Sequence, residues 1–286
     1  DLDPPREVAG AADAQLRALA GFGLVSDGPI VRQSARHALY RAALDRLLDA
    51  GLAFECRCSR SDLALVNGIH RTCRSDSSRT ETAIRLRVAG DCLVAFDDFL
   101  HGSIEQDVAT EVGDVVLLRA DGFWAYQLAV VVDDAAQGVT DVVRGADLLG
   151  STARQILLQE ALGLPRLTYM HLPLAVDESG LKLSKSDDAP ALSREGPAAQ
   201  LVAVLEFLRH SPPAGLGRAS PDEVLQWATT NWRPGLFSGM TRGAASGAAC
   251  PAADRAPSPR RRRSRDTRSA RASADRRGCP RRPGAA

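Results

Sequence analysis

The chain has 286 residues, 36 of them basic and 35 acidic, with 44% hydrophobic and 25% charged residues. These are values of a soluble globular protein, long enough to bury a core in one large domain or two smaller ones. No apolar run approaches the roughly 20 residues of a membrane-spanning helix, so no membrane partner is expected. The opening Asp1-Leu2-Asp3-Pro4-Pro5 is no signal peptide, and six Cys are too few and too unevenly placed for a disulfide framework. The cytoplasm is the default location. The first residue is not Met, which fits a fragment or a processed form.

In chain order, Pro4 and Pro5 precede an Ala-rich helical stretch from Glu7 to Gly21, with Leu16, Leu19 and Phe22 as its apolar face. Ser34 reads as the N-cap of a helix to about Ala50, with Leu44, Leu47 and Leu48 on one side and Gly51 at its end. Residues 52–81 hold three Cys and few aliphatics, the composition of a small inserted module. Residues 82–119 read as β-rich: Ala83 to Val88 alternates, and Asp114 to Leu118 forms a buried strand. Val130-Val131-Val132 and Val139 to Val143 are further β-type runs around Asp133-Asp134, read as turn or structural acids. Ser151 caps a helix through Ile156, Leu157 and Leu158, and His171 to Val176 follows as one strand. Helices near Ala198–Arg209 and Pro221–Thr229 close the ordered part. Strands alternating with helices favour an α/β sheet. His101 and His171 read as ordinary strand or loop residues, and Cys92, Cys250 and Cys279 as unrelated to any metal.

The near-zero net charge conceals an imbalance. From Leu236 to Ala286 there are 13 Arg and 3 Asp, and no Leu, Ile or Val after Leu236. Such a segment cannot bury enough apolar surface to offset chain entropy and is expected to be disordered. An electrostatic arm for nucleic acid, a solvated tail without a role and a change of reading frame all fit it.

Lysine usage is equally uneven: the only two Lys are Lys182 and Lys185, against 34 Arg. Two ammonium groups and two hydroxyls in Gly180-Leu181-Lys182-Leu183-Ser184-Lys185-Ser186, beyond a strand and a turn, suit phosphate binding. Farther back, Cys56, Cys58, His70 and Cys73 offer three thiolates and an imidazole. Their spacing admits a tetrahedral zinc site or, equally, buried free thiols.

Lys182-Leu183-Ser184-Lys185-Ser186 resembles the Lys-Met-Ser-Lys-Ser signature of the class I aminoacyl-tRNA synthetases. The run Tyr126 to Asp134, with Gly138-Val139-Thr140 and Val143-Arg144-Gly145-Ala146-Asp147, resembles their glutamyl branch. Asp3-Pro4-Pro5-Arg6-Glu7 and Cys56-Arg57-Cys58 resemble the members of that branch that glutamylate queuosine in tRNA(Asp). The similarity covers about residues 1–235. It implies ATP-dependent activation of L-glutamate, with Mg2+, to glutamyl-adenylate, and transfer to the queuosine base in the anticodon of tRNA(Asp). It implies Tyr126 and Arg144 as glutamate-binding residues, Lys185 as an ATP contact, and Lys182 with Lys185 in catalysis. It also implies a structural zinc ion on Cys56, Cys58, His70 and Cys73, although the family commonly has Tyr, one position earlier, where His70 stands.

The implied fold is an α/β, Rossmann-type parallel sheet with a small zinc module. Residues 1–51 would be the remainder of its first half, 52–81 the zinc insertion, 82–235 its second half with the lysine loop, and 236–286 the tail. The family's N-terminal strand-helix-strand, with its His-Ile-Gly-His-like ATP site, does not occur in the chain. These 286 residues alone are therefore expected to be inactive, which adenylate formation would measure. A monomer is expected. A truncated glutamyl-tRNA synthetase and a non-catalytic RNA-binding relic stay open as alternatives.

Overall fold

The computed structural model describes residues 1–73, 80–177, 180–183 and 196–244. The chain divides into two units, Asp1–Pro251 and Ala252–Ala286, and every described residue lies in the first.

Helix α1 (Ala11–Gly21) buries none of its own residues, and Leu19 is exposed; Phe22, just past its end, is buried instead. Helix α2 (His37–Asp49) buries Tyr40, Ala43, Leu44 and Leu47, a helical stripe. Ser34 is not its cap. Ser34 lies in a short 3-10 turn, Gln33–Ala35, and its hydroxyl donates to Asp1 over 2.7 Å. A buried acid holds the helix entrance instead. Asp133 accepts from Gln33 Nε2 at 2.8 Å, Arg36 Nε at 2.6 Å and Tyr40 Oη at 2.8 Å. Replacing Asp133 with Ala strands the half-buried Arg36 cation and is expected to cost about 3–5 kcal/mol. A urea midpoint within error of the parent would rule that out.

Strand β1 (Ala53–Cys56), helix α3 (Arg60–Ala64), strands β2 (Ala83–Leu86), β3 (Leu93–Asp98) and β4 (Gly102–Asp107), helix α4 (Val108–Glu111) and strand β5 (Val115–Leu118) follow. β1, β2 and β5 form an antiparallel sheet with β2 in the centre. All four residues of β2 are buried, so the alternation expected from Ala83 does not hold. Arg85 is accommodated because its Nη1 donates to the Asp114 carbonyl at 3.0 Å.

Helix α5 (Tyr126–Gln137) overturns the β reading of Val130–Val132. Leu128, Ala129, Val131 and Val132 share one buried helical face, and Gly138, at φ 71°, ends the helix in the left-handed region. Three consecutive Val have no period of their own; the residues flanking them supply it. Asp133 is accordingly a structural acid inside a helix rather than in a turn.

Strand β6 (Asp141–Gly145), helix α6 (Thr152–Ala161), strands β7 (Thr168–Leu172) and β8 (Leu174–Val176), helices α7 (Pro197–Phe207) and α8 (Pro221–Asn231), and strand β9 (Arg242–Ala244) complete the described elements. Ser151 precedes α6 but makes no side-chain cap bond. The single strand expected over His171–Val176 is split at Pro173, which cannot donate to a ladder, and its halves pair in different sheets.

The second sheet has the order β4-β3-β7-β6. β3, β7 and β6 are parallel and β4 is antiparallel at the edge, so the expected parallel sheet is in fact mixed. α2 and α5 pack on the first sheet through Tyr40, Leu44, Leu117 and Leu128. α6 presents Leu158 to that core and Ile156 to a second one with Phe96 and Tyr169.

The expectation of disorder from Leu236 onward fails for its first residues. Phe237 is fully buried with Leu100 and Leu208, the Gly239 amide donates to the Leu100 carbonyl at 2.8 Å, and β9 pairs with β8. One aromatic in a matching pocket anchors a segment that its average composition would leave free. Residues 245–286, including the Arg run, lie outside the described residues.

Candidate active site and metal centre

The parallel strands β3, β7 and β6 bring their carboxyl ends to one edge of the sheet, where open α/β sheets bind ligands. Three polar residues meet there. Asp98, the last residue of β3, is in phase with buried Val94 and Phe96 and is itself 2% exposed. Its Oδ1 accepts the amides of Leu100 at 3.0 Å and His101 at 3.1 Å, and its Oδ2 accepts His171 Nδ1–H at 2.6 Å. His171, fully buried in β7, thus carries its proton on Nδ1 and accepts at Nε2 from Arg144 Nε–H at 3.0 Å.

Arg144, in β6 beside His171, makes three further bonds: Nη1 to Gln155 Oε1 at 2.7 Å, and Nη2 to Thr152 Oγ1 at 2.8 Å and to the Leu148 carbonyl at 3.4 Å. Its guanidinium also lies over the Tyr169 ring, 5.6 Å from the centroid. Every acceptor on it is formally neutral. Among the described residues one Nη1–H has no acceptor, and the long bond to Leu148 is easily exchanged, so the fork can take a carboxylate.

Tyr126 is half-exposed at the first turn of α5. Its neighbour Gln127 joins the network by accepting from Gln155 Nε2 at 2.8 Å.

Burial outweighs the nearby Asp98 and, with Arg144 and His101 adding to it, holds the His171 pKa below the ordinary imidazole range. Burial opposes ionisation of Asp98, yet the bonds from His171 and the Leu100 and His101 amides keep its carboxyl below the usual range. His171 is neutral when folded, so the unfolded chain takes up its proton first as pH falls below about 6.5. Stability is therefore expected to decline from neutral toward pH 5, less steeply in His171→Gln. Equal slopes in denaturant titrations of the two proteins would sink that expectation.

Lys182 comes back beside β8 through a turn at Gly180, φ 80°, in a bridge to Val176. Its ammonium pairs with Asp147, just after β6, on the solvent side. A Cβ on Gly145 would stand 2.6 Å from the Asp147 carboxylate, so glycine gives that acid its room. Lys185 lies outside the described residues.

The second centre begins where β1 ends. Cys56 closes the strand and Cys58 follows; Ser59 then starts α3 with a capping box on Asp62. Asn67 and Gly68, both at positive φ, turn the chain back to His70. Gly113 meets His70 in a β-bridge so close that a Cβ there would lie 2.2 Å from the His70 carbonyl oxygen. His70 Nδ1–H donates to Asp114 Oδ2 at 2.7 Å, which leaves Nε2 facing Cys56 Sγ at 3.2 Å. The ligand atoms of Cys56, Cys58, His70 and Cys73 all lie within 4.8 Å of one another. A tetrahedral ion with ~2.3 Å metal–sulfur bonds needs sulfurs about 3.8 Å apart, so the donor set fits one. Burial and the neighbouring Cys56 and Cys58 sulfurs push the Cys73 thiol up to about 11, a penalty that a bound dication reverses.

Asp98, Thr152 and Gln155 were not singled out in the sequence, and His171 reads there as an ordinary strand or loop residue. One signal for Asp98 was available: the alternation of β3 places that acid on its buried face.

A mixed α/β sheet with an arginine at the carboxyl ends of its parallel strands, and a Cys/His group elsewhere in the same chain, fits a class I synthetase catalytic domain. The chain belongs to that family: the model for tRNA synthetases class I (E and Q), catalytic domain, matches residues 1–196. It is a ligase of the aminoacyl-tRNA synthetase type. Among its relatives is the glutamyl-Q tRNA(Asp) synthetase of Xanthomonas oryzae, 56% identical over 83% of this chain and 79% of that protein. Proteins of the same name from Chromobacterium violaceum and Pseudomonas aeruginosa are 52% and 49% identical, each over 81% of this chain and 80% of their own. A solved glutamate tRNA ligase from Elizabethkingia meningosepticum, crystallised with its amino acid, has the same fold (TM-score 0.67, 23% identity, 86% of this chain). The present chain spans 59% of the length of that structure.

Proposed function

We propose that this protein activates L-glutamate with ATP and transfers the glutamyl group to queuosine in the anticodon of tRNA(Asp). The observation that carries the reading is Arg144, fixed by neutral partners at the sheet edge with a donor to spare, in a chain 56% identical to a glutamyl-Q tRNA(Asp) synthetase.

A carboxylate lets such an arginine complete both its charge and its hydrogen bonds, and the glutamyl relatives favour it over a phosphate here. Arg144 therefore binds a carboxylate of glutamate, and Tyr126, next in sequence to the Gln127 that joins the network, is the second glutamate contact that the family resemblance implies. The α-carboxylate oxygen attacks the α-phosphorus of ATP, forming the mixed anhydride and releasing pyrophosphate. A nucleophile on the queuosine base then attacks the activated carbonyl, and AMP leaves with the bonding electrons. Mg2+, when bound with ATP, neutralises charge on the departing pyrophosphate. Lys185 supplies an ammonium to those phosphates, and Lys182, tethered to Asp147, sets where its loop begins. Cys56, Cys58, His70 and Cys73 hold a zinc ion whose role is structural, since four protein ligands leave no open position. The protein works in the cytoplasm as a monomer. No helix among the described residues is long and apolar enough to cross a membrane.

The test is glutamate-dependent ATP–pyrophosphate exchange by the product of the complete reading frame. Exchange without any tRNA is expected. Exchange only when tRNA(Glu) is added would replace this reading with that of a glutamyl-tRNA synthetase.

A further inference from the structure

We infer that Asp98 and His171 are positioning residues for amino-acid recognition: the Asp98 carboxylate fixes the tautomer of His171, and His171 in turn orients the Arg144 guanidinium. The inference rests on Arg144 as the glutamate-binding residue, and adds two buried groups that touch neither substrate.

The geometry requires a direction along the chain of bonds. Asp98 Oδ2 is acceptor only, so the 2.6 Å contact puts a proton on His171 Nδ1. Arg144 Nε is donor only, so the 3.0 Å contact requires a lone pair on His171 Nε2. Only the neutral Nδ1–H tautomer meets both demands. The Nε2–H tautomer, or a cationic ring, would set two donors against each other and push the guanidinium off its plane.

The other groups reinforce this reading. The ring of His171 stacks on Tyr169 at an interplanar angle of 14°, and the Arg144 cation also lies over the Tyr169 ring. The His101 ring donates to the His171 carbonyl at 3.0 Å, and the Asp98 carboxylate is held by two loop amides. Asp98 and His171 are both fully buried at the side chain. A buried carboxylate facing a neutral imidazole is a poor source of stability compared with apolar packing, so its placement directly behind the substrate-facing arginine calls for a role in orientation. Arg144 Nε is the proximal donor. Fixing it holds the remaining Nη1–H and the Nη2–H of the long bond to Leu148 in place as the donors offered to substrate.

The discriminating change is Asp98→Asn. An amide at that position donates where the carboxylate accepted, which selects the Nε2–H tautomer with almost no change in volume. In the complete gene product, Asp98→Asn and His171→Gln are both expected to raise the KM for glutamate at least tenfold, with the KM for ATP changing less than twofold. Parallel changes in both constants, or none, in variants that melt like the parent would overturn the inference. Arg144→Ala is the control for the underlying reading: if it leaves the glutamate KM unchanged, the binding role of Arg144 fails, and the relay with it. Nitrogen NMR of the unmodified protein reads the tautomer whether or not a variant folds. Between pH 6 and 8 the signal of Nδ1–H is expected at His171; Nε2–H there would refute the inference outright.

Discussion

Replacing Arg144 with Ala is expected to abolish glutamate activation at ordinary substrate concentration while leaving the protein folded. Truncating one partner of a desolvated, hydrogen-bonded charge pair costs about 2–5 kcal/mol, a factor of roughly 30 to several thousand in the KM for glutamate. The fold survives because the groups that lose Arg144 are neutral. Gln155 keeps its bond to Gln127, and Thr152 can still donate to the Leu148 carbonyl. Arg144→Lys is expected to be nearly as damaging. An ammonium has no planar fork and cannot satisfy His171, Gln155, Thr152 and a carboxylate together. Exchange kinetics with glutamate and ATP varied separately, alongside a thermal melt, read the effect. A glutamate KM within threefold of the parent would refute the role assigned to Arg144.

The second large effect is expected at the Cys/His centre. Cys56→Ser is expected to lose the bound metal and to loosen residues 53–73, while the β4-β3-β7-β6 sheet persists. Structural zinc is worth about 10–16 kcal/mol in isolated finger peptides. Here β1 is also held by its ladder to β2, so only part of that is lost; several kcal/mol corresponds to a drop in Tm on the order of 10 °C for a domain of this size. Metal analysis of the protein purified without chelator, with limited proteolysis of parent and variant, makes the test. A parent protein that carries no zinc would end the proposal, and a variant that keeps one equivalent would remove Cys56 from the ligand set. Asp114→Asn tests the support of His70. Its carboxylate fixes the ring so that Nε2 faces the thiols, and an outer partner of this kind typically contributes 10–100-fold in metal affinity.

Local order was legible wherever a segment carried its own period or its own string of residues. Leu44, Leu47 and Leu48 read as one side of a helix because a helix face needs only neighbours three and four apart, and the structure buries Leu44 and Leu47 together with Tyr40 and Ala43. The lysine segment and the run from Tyr126 to Asp147 place the chain in its family because both are contiguous. Where the local signal was ambiguous, the reading failed. Val130–Val132 fits strand or helix until Leu128, Ala129 and Gly138 are weighed with it. Ser34 is a plausible cap that loses to a buried acid about a hundred residues away. Phe237 is a lone aromatic in a basic tail until Leu100 and Leu208 close around it.

The sequence by itself determined the family, the helix stripes, and the residue types available for a carboxylate and a metal. Only the tertiary structure decided that Asp98, His171 and Arg144 form one chain of hydrogen bonds, across separations of 73 and 27 residues. The physical reason lies in the sheet. Parallel strands are joined by crossovers of arbitrary length, so the residues that meet at their carboxyl ends share no spacing a sequence could display. The same holds for Gly113 and Asp114 behind His70. Their requirement comes from how closely another strand approaches, and that distance exists only once the chain has folded.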